Sequence, residues 1–600
     1  MRAHDTGGGL RPRLQRGATA LRMAWDSAPA TAAAWISATA LLAVLPLAIA
    51  WVGKAIVDAV VARDLEPALA WVVGELLLMA LVGATQRGAG TLRGLLAIRL
   101  GLFVNLKILR KALTLDLPHF QDSEFYDRLT RARREATSRP LALAGELLGL
   151  VGAVVTLLGF IALLLSFSPL AVLVLVAAAF PAALAELRFS REAFDLRNQR
   201  ATEARRLGYY EYVLASDEHA KEIMINGLGP TLLARYQETG ERLFREERGL
   251  ALRRTLWVTL LAQLGTLSFY GCYLLIAWRT VLGELGLGDM TLYVIAFRQG
   301  QQSFQSILLG LGSLYEHDLY MSNLLAFLAI PTTTTRALPG PTAAPARPGE
   351  RGIRFEDVGF RYPGQREFAL RHIDLTIPAG QSMALVGHNG AGKTTFLKLL
   401  TGLYTPTEGR ILLDGRDLRE IPTDELRRRL AVAFQDFNQY QLTARENVAY
   451  GCPERQHDAP QIDRAVDDGG ARPVIDALPA RLDTQLGRWF PGGVDLSGGQ
   501  WQRVALARAF MRQGADVLVL DEPTAALDVD AEAEVFARVR ELAAGRTVLL
   551  ISHRFPSVRT ADRIVVLDRR GVAESGTHAE LLAAGGLYAA MFRKQAAGYA

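Results

Sequence analysis

Nine residues in the C-terminal half have the types and spacing to hold a polyphosphate. Gly387-His388-Asn389-Gly390-Ala391-Gly392-Lys393-Thr394-Thr395 follows the apolar run Met383-Ala384-Leu385-Val386 and leads into Phe396-Leu397-Lys398-Leu399-Leu400. The glycines at 387, 390 and 392 let the backbone wrap an anion, so that its N–H groups and a helix N-terminus point at the oxygens. In such a loop Lys393 reaches the β- and γ-phosphates, and the Thr394 hydroxyl is a ligand for Mg2+. A chance glycine turn would not bring strand, glycines, Lys-Thr and helix together in that order.

Two carboxylates complete the chemistry. Val517-Leu518-Val519-Leu520 is apolar enough for a buried strand, with Asp521 and Glu522 at its C-terminal end, where open α/β sheets bind ligands. Asp521 can hold Mg2+ through water, and Glu522 can polarise an attacking water as general base. A third segment, Leu496-Ser497-Gly498-Gly499-Gln500, precedes a helical stretch that carries Arg503 and Arg508. It reads either as an ordinary helix N-cap or as a second anion site, with Ser497 and the glycine amides facing a γ-phosphate. One complete phosphate loop is already present, so that second site would serve a nucleotide held by another copy.

These groups must be brought to one sheet edge. From Gly352 onward short apolar strands alternate with helical stretches, the pattern of a mostly parallel α/β sheet. Just upstream, residues 330–351 are rich in Pro, Thr and Ala and read as a tether.

The N-terminal half has a different texture. Half of the 600 residues are apolar and 21% are charged, which excludes a disordered or fibrous chain and implies a lipid-soluble part beside a water-soluble one. Six apolar stretches are long enough to cross a bilayer: about 30–52, 68–84, 142–165, 170–187, 256–278 and 292–314. Arginines and lysines crowd the long connections after spans two and four, while the three short connections carry almost none. That bias puts both termini and both long loops in the cytoplasm. The loops are dense in helix formers, so membrane helices should run on far beyond the lipid. The net charge of +6 is therefore topological and is no argument for nucleic acid, and Cys272 and Cys452 are too few for a disulfide framework.

With these motifs in view, the stretch from Ile353 to the C-terminus resembles the nucleotide-binding domain of ABC transporters. The resemblance implies ATP with Mg2+ as the ligands, and an α/β P-loop ATPase domain with a helical subdomain behind an all-α membrane domain of six helices. It makes Tyr362 the aromatic that stacks on adenine, and Gln435 a Mg2+ contact that senses the membrane part. It also makes Asp528 a loop residue meeting a partner, and His553 the switch on the γ-phosphate. With Glu522 as base, the expected catalytic set is Glu522, His553 and Gln435, and the expected metal set Thr394, Gln435 and Asp521. Nucleotide would be held by Tyr362, Gly387, Asn389, Gly390, Gly392, Lys393, Thr394, Thr395, Ser497, Gly498, Gly499, Gln500 and Asp528. The implied layout is a cytoplasmic arm over residues 1–29, the membrane domain over 30–329, the tether over 330–351 and the ATPase domain over 352–600.

Six spans fused ahead of one ATPase domain is the arrangement of exporter half-transporters, which implies a dimer, with itself or with a related half, in a bacterial cytoplasmic membrane. The Gly487-Arg488-Trp489-Phe490-Pro491 lead into the Ser-Gly-Gly turn departs from the usual acidic version. It looks like a subgroup that includes exporters of lanthionine-containing peptides. The stretches His119–Arg133 and Tyr210–Gly227 look like the coupling segments of such exporters. The expected activity is ATP-driven export of a peptide or amphiphile; a drug or lipid exporter, or a membrane ATPase that senses peptide without moving it, are the other readings. Within span six, Arg298, Gln301, Gln302 and Gln305 follow helical spacing and form one polar stripe, either along a translocation path or in hydrogen bonds between helices. Glu75 and Glu146 lie in or near apolar spans and favour a cationic cargo or Arg298 as partner.

Overall fold

The computed structural model describes residues 10–122, 125, 129, 139–331, 351–524, 529–542, 545–568 and 570–596. Its contacts divide the chain into two units, residues 1–113 with 123–331 and residues 114–122 with 332–600. Residues 332–350 of the expected tether 330–351, and the expected site residue Asp528, lie outside the described residues.

The first unit is all helix. After Leu10–Ser27, where the sequence suggested only a polar arm, come six long helices: Pro29–Val61, Leu65–Ala112, Arg139–Phe167, Pro169–Gln199, Gly229–Val281 and Leu287–Leu328. The shortest has 29 residues, which at 1.5 Å per residue is about 43 Å and exceeds the ~30 Å of hydrocarbon. Each covers one expected span. By length and composition, four of the described helices qualify as spans: those beginning at Pro29, Leu65, Arg139 and Gly229. Their apolar residues run nearly all round, so Leu69, Val72, Val73, Leu76 and Leu77 of the second stay exposed, a surface that calls for lipid rather than water. The basic segment that includes Arg87, Arg93, Arg99 and Lys107 continues this same helix, as the helix formers in the loop implied.

Between helices the packing is close. Ala50, Phe160, Leu164, Cys272, Leu292, Ala296 and Phe297 form one buried cluster. A Cβ on Gly159 would come within 2.4 Å of Leu47 Cδ1, so a larger residue there would displace the Leu47 side chain. The buried Thr156 hydroxyl donates to the Ala43 carbonyl at 2.6 Å, a link between two helices.

The second unit holds two sheets. One is antiparallel, in the order β2-β1-β4-β5, with β1 at Gly352–Phe360, β2 at Leu370–Pro378, β4 at Glu408–Leu413 and β5 at Arg416–Asp417. The other runs β10-β9-β3-β8-β7-β6. Here β3 is Ser382–Gly387, β6 Leu430–Ala433, β7 Val517–Asp521, β8 Thr547–Ile551, β9 Arg563–Asp568 and β10 Gly571–Gly576. Strands β6 to β9 and β3 are parallel, and every residue of β7 and β8 is buried, as expected of a sheet covered on both faces. The helix Lys393–Leu400 fills the space between the sheets, with Phe396 stacked on Phe355 at a centroid distance of 4.2 Å. A separate apolar cluster joins Ala444–Ala449, Ala459–Asp468, Arg472–Asp476 and the start of Gly498–Phe510 through Val448, Ile462, Val466, Ile475, Trp501 and Val504. It is the helical subdomain.

Candidate functional site

Strand β3 ends at Gly387 and the next helix begins at Lys393, so five residues, 388–392, make the turn between them. Gly390 and Gly392 take φ of +82° and +101°, conformations that a side chain disfavours. At Gly392 a Cβ would also stand 2.5 Å from Leu370 Cδ2. Lys393 folds back over this turn, its Nζ donating to the carbonyls of Gly387 at 2.6 Å and His388 at 3.2 Å. Burial lowers its pKa, with Glu522 and Asp521 opposing that effect. A cleft of ≈ 630 Å³ opens here, lined by Asn389, Gly390, Gly392, Lys393, Thr394, Thr395, Gln435, Asp521, Glu522 and Tyr362 among others. Tyr362 is fixed by its hydroxyl at 3.0 Å from Thr395 Oγ1 and by edge contacts with Phe360 and Tyr404.

Strand β7 delivers the carboxylates to the same cleft. Asp521 is 5% exposed. Burial, then the charges of Glu522 and Asp436, push its carboxyl up to about 6. Glu522 turns out of the strand with φ of +48°, a left-handed conformation for a residue with a side chain. Its carboxylate is held on both oxygens: Gln435 Nε2 donates to Oε2 at 2.9 Å, and His553 Nδ1 lies 3.0 Å from Oε1. Two residues, one after β6 and one after β8, thus hold the candidate base that follows β7. Thr394, Asp521 and Gln435 offer only oxygen donors, which suits Mg2+ bound together with phosphate. Among the described residues no group of three or more His, Cys, Asp or Glu gathers to hold a metal by itself.

Comparison with known proteins finds relatives that match most of this chain. The subtilin transport ATP-binding protein of Bacillus subtilis is 31% identical over 499 residues, 83% of this chain and 80% of the relative. The chain belongs to the ABC transporter family. The family model described as ABC transporter matches residues 370–525, which carry the phosphate loop, the Ser-Gly-Gly turn and the two carboxylates. An ATP-dependent lipid A-core flippase of Cupriavidus pinatubonensis is 44% identical over 261 residues, 42% of this chain and 44% of the flippase. A solved structure of a bacterial Atm1-family ABC exporter with ATP bound covers 95% of this chain, and 98% of its own chain is covered. Its TM-score is 0.75 at 25% identity. The chain is an integral membrane ABC exporter that hydrolyses ATP to drive transport, as the motifs implied.

The signature of this ABC transporter is built as a helix start. Ser497 caps Gly498–Phe510: its Oγ accepts from Gln500 N at 3.3 Å, while Gln500 Oε1 accepts from Ser497 N at 2.9 Å. The N-cap reading is therefore met. Ser497, Gly498, Gly499 and Gln500 are not among the residues lining the phosphate-loop cleft, and Ser497, Gly498 and Gln500 are exposed.

Other residues at the site carry no motif. Glu367 and Arg570, an ion pair, line the cleft, as does Phe368, whose ring lies under the guanidinium groups of Arg361 and Arg371. They come from the β1–β2 loop and the β9–β10 turn, where no residue pattern announces a site. Arg508 is half-buried and, among the described residues, pairs with no carboxylate; it donates to the carbonyls of Asn447 and Asn438 and to Asn447 Oδ1, and covers the Tyr440 ring. That anchor ties the segment after Gln435 to the signature helix. In the membrane unit Arg298, Gln302 and Gln305 are exposed and Gln301 is partly buried, so three of the four stripe residues do not enter the helix packing. The opposite charge near Glu146 is Arg93, not the expected Arg298.

Proposed function

We propose that two copies of this chain, or one copy and a related half-transporter, export a modified peptide or similar amphiphile across the bacterial cytoplasmic membrane. In this reading residues 1–29 form a cytoplasmic arm, 30–329 cross the bilayer six times, 330–351 tether the halves and 352–600 bind nucleotide. Both termini and the ATPase domain face the cytoplasm. Each ATP lies between Gly387–Thr395 of one chain and Ser497–Gln500 of the other. Tyr362 stacks on the adenine, Lys393 and the loop amides hold the phosphates, and Asp528 meets the partner. Glu522 takes the proton of the attacking water, while Gln435 and His553 aim its carboxylate and report on the γ-phosphate. Thr394, Asp521 and Gln435 would hold Mg2+, which when bound neutralises charge on the phosphates. ATP binding favours the closed pair and an outward opening, and hydrolysis restores the other state.

The observation that carries the peptide reading is the extent of the match to the subtilin transport protein, 83% of this chain, against 42% for the lipid A-core flippase. The exposed polar stripe supports a path between two copies, because polar groups facing lipid are costly. The test is uptake of labelled subtilin by inside-out vesicles. ATP-dependent accumulation that Glu522→Gln abolishes supports the proposal. Stimulated ATPase without accumulation makes the chain a sensor, and lipid translocation without peptide uptake makes it a lipid exporter.

A further inference from the structure

One buried polar side chain near the site has no role in the account above. Gln502 is 4% exposed, on the second turn of the helix that Ser497 caps. Its Nε2 donates at 3.0 Å to the main-chain carbonyl of Glu522. The N–H of Glu522 donates at 2.8 Å to the Ile551 carbonyl of β8. The left-handed turn at Glu522, a conformation that a side chain disfavours, is thus gripped on both sides. One grip is the sheet. The other is the signature helix.

We propose that Gln502 is a positioning residue that lets the signature helix of a chain aim that chain's own Glu522. The argument rests on the two-copy reading, in which Ser497–Gln500 receives the nucleotide of the partner. A shift of the helix start on seating that nucleotide passes through one helical turn to Gln502. It then reaches the Glu522 carbonyl and, through the strained φ, the carboxylate. The catalytic base at one nucleotide thereby responds to occupancy of the other. Sequence spacing hides this link, because 502 and 522 lie on different elements and only the fold brings them together.

The test is Gln502→Met, which keeps the volume and removes the donor. Misplacing a reacting group by about 1 Å costs about 100-fold in rate, so kcat should fall at least tenfold. KM for ATP should stay within about twofold, because Gln502 does not line the nucleotide cleft. Unchanged kcat, or a parallel loss of kcat and of melting temperature, overturns the proposal. Mixed dimers assign the direction. With Glu522→Gln and Gln502→Met on one chain opposite a wild-type partner, one site keeps both its base and its positioning residue. Split between the two chains, the substitutions impair both sites. The same-chain arrangement should turn over at least fivefold faster; equal rates or the reverse order overturn coupling within the chain. Wild-type protein run alongside separates the two claims. If it stays monomeric with ATP, the two-copy reading fails; if it turns over as a dimer and Gln502→Met does too, only the role of Gln502 fails.

Discussion

Replacing Asp521 by Asn should make the nucleotide-free protein more stable while removing its activity. The carboxyl is buried at the end of β7 beside Glu522 and Asp436, and its pKa is pushed from 3.8 to about 6. A raised acid pKa means that the unfolded chain gives up the proton more readily than the folded one. Stability is therefore lost as pH rises from 3.8 through 6 and stays lower above that. Each tenfold change in proton affinity is about 1.4 kcal/mol, so the ionised carboxyl costs about 3 kcal/mol at pH 8. At pH 5, where it is mostly protonated when folded, the cost is about half of that. Asn has the same shape and no charge to desolvate. In full-length protein in nanodiscs with EDTA, Asp521→Asn should raise the melting temperature of the ATPase domain by about 5–10 °C at pH 8. The gap should narrow by about half at pH 5, and ATP turnover with Mg2+ should be absent. An unchanged or lower melting temperature at pH 8, or a gap that ignores pH, would refute the reasoning.

Three other outcomes follow from the same geometry. Lys393→Ala should weaken ATP binding at least tenfold, measured with a fluorescent ATP analogue, since it removes the cation that reaches the phosphates. Tyr362→Ala should raise KM for ATP several-fold and leave kcat within about twofold, because a stacking platform supplies binding rather than chemistry. Replacing Arg298 and Gln302 by Leu should abolish substrate stimulation of the ATPase in proteoliposomes while basal turnover persists; retained stimulation would place the stripe outside the path.

Much of this molecule is legible in its sequence because its motifs are local. The glycines and lysine of 387–395 sit on one strand-to-helix turn, and Asp521 and Glu522 at one strand end, so spacing alone places them. Each of the six long helices covers an apolar run legible in the sequence, and the continuation of Leu65–Ala112 past its apolar run follows from basic residues among helix formers. What spacing cannot give is a meeting of distant segments. Glu367 and Arg570 are 203 residues apart, and Gln435 and Glu522 are 87 apart. The left-handed turn at Glu522 has no signature either, since no glycine marks it. Helix Leu10–Ser27 was missed because its residues are mixed polar and apolar, without a run long enough to stand out.

The central claim is that two chains enclose two nucleotides and that Glu522 is the base for both. Its most direct measurement is retention of labelled ATP by Glu522→Gln protein in detergent, with mass determined by light scattering on the same sample. The account predicts a particle of two chains that keeps two ATP molecules uncleaved, while the wild-type protein releases ADP. A single chain holding ATP, or Glu522→Gln turning over near the wild-type rate, would contradict it.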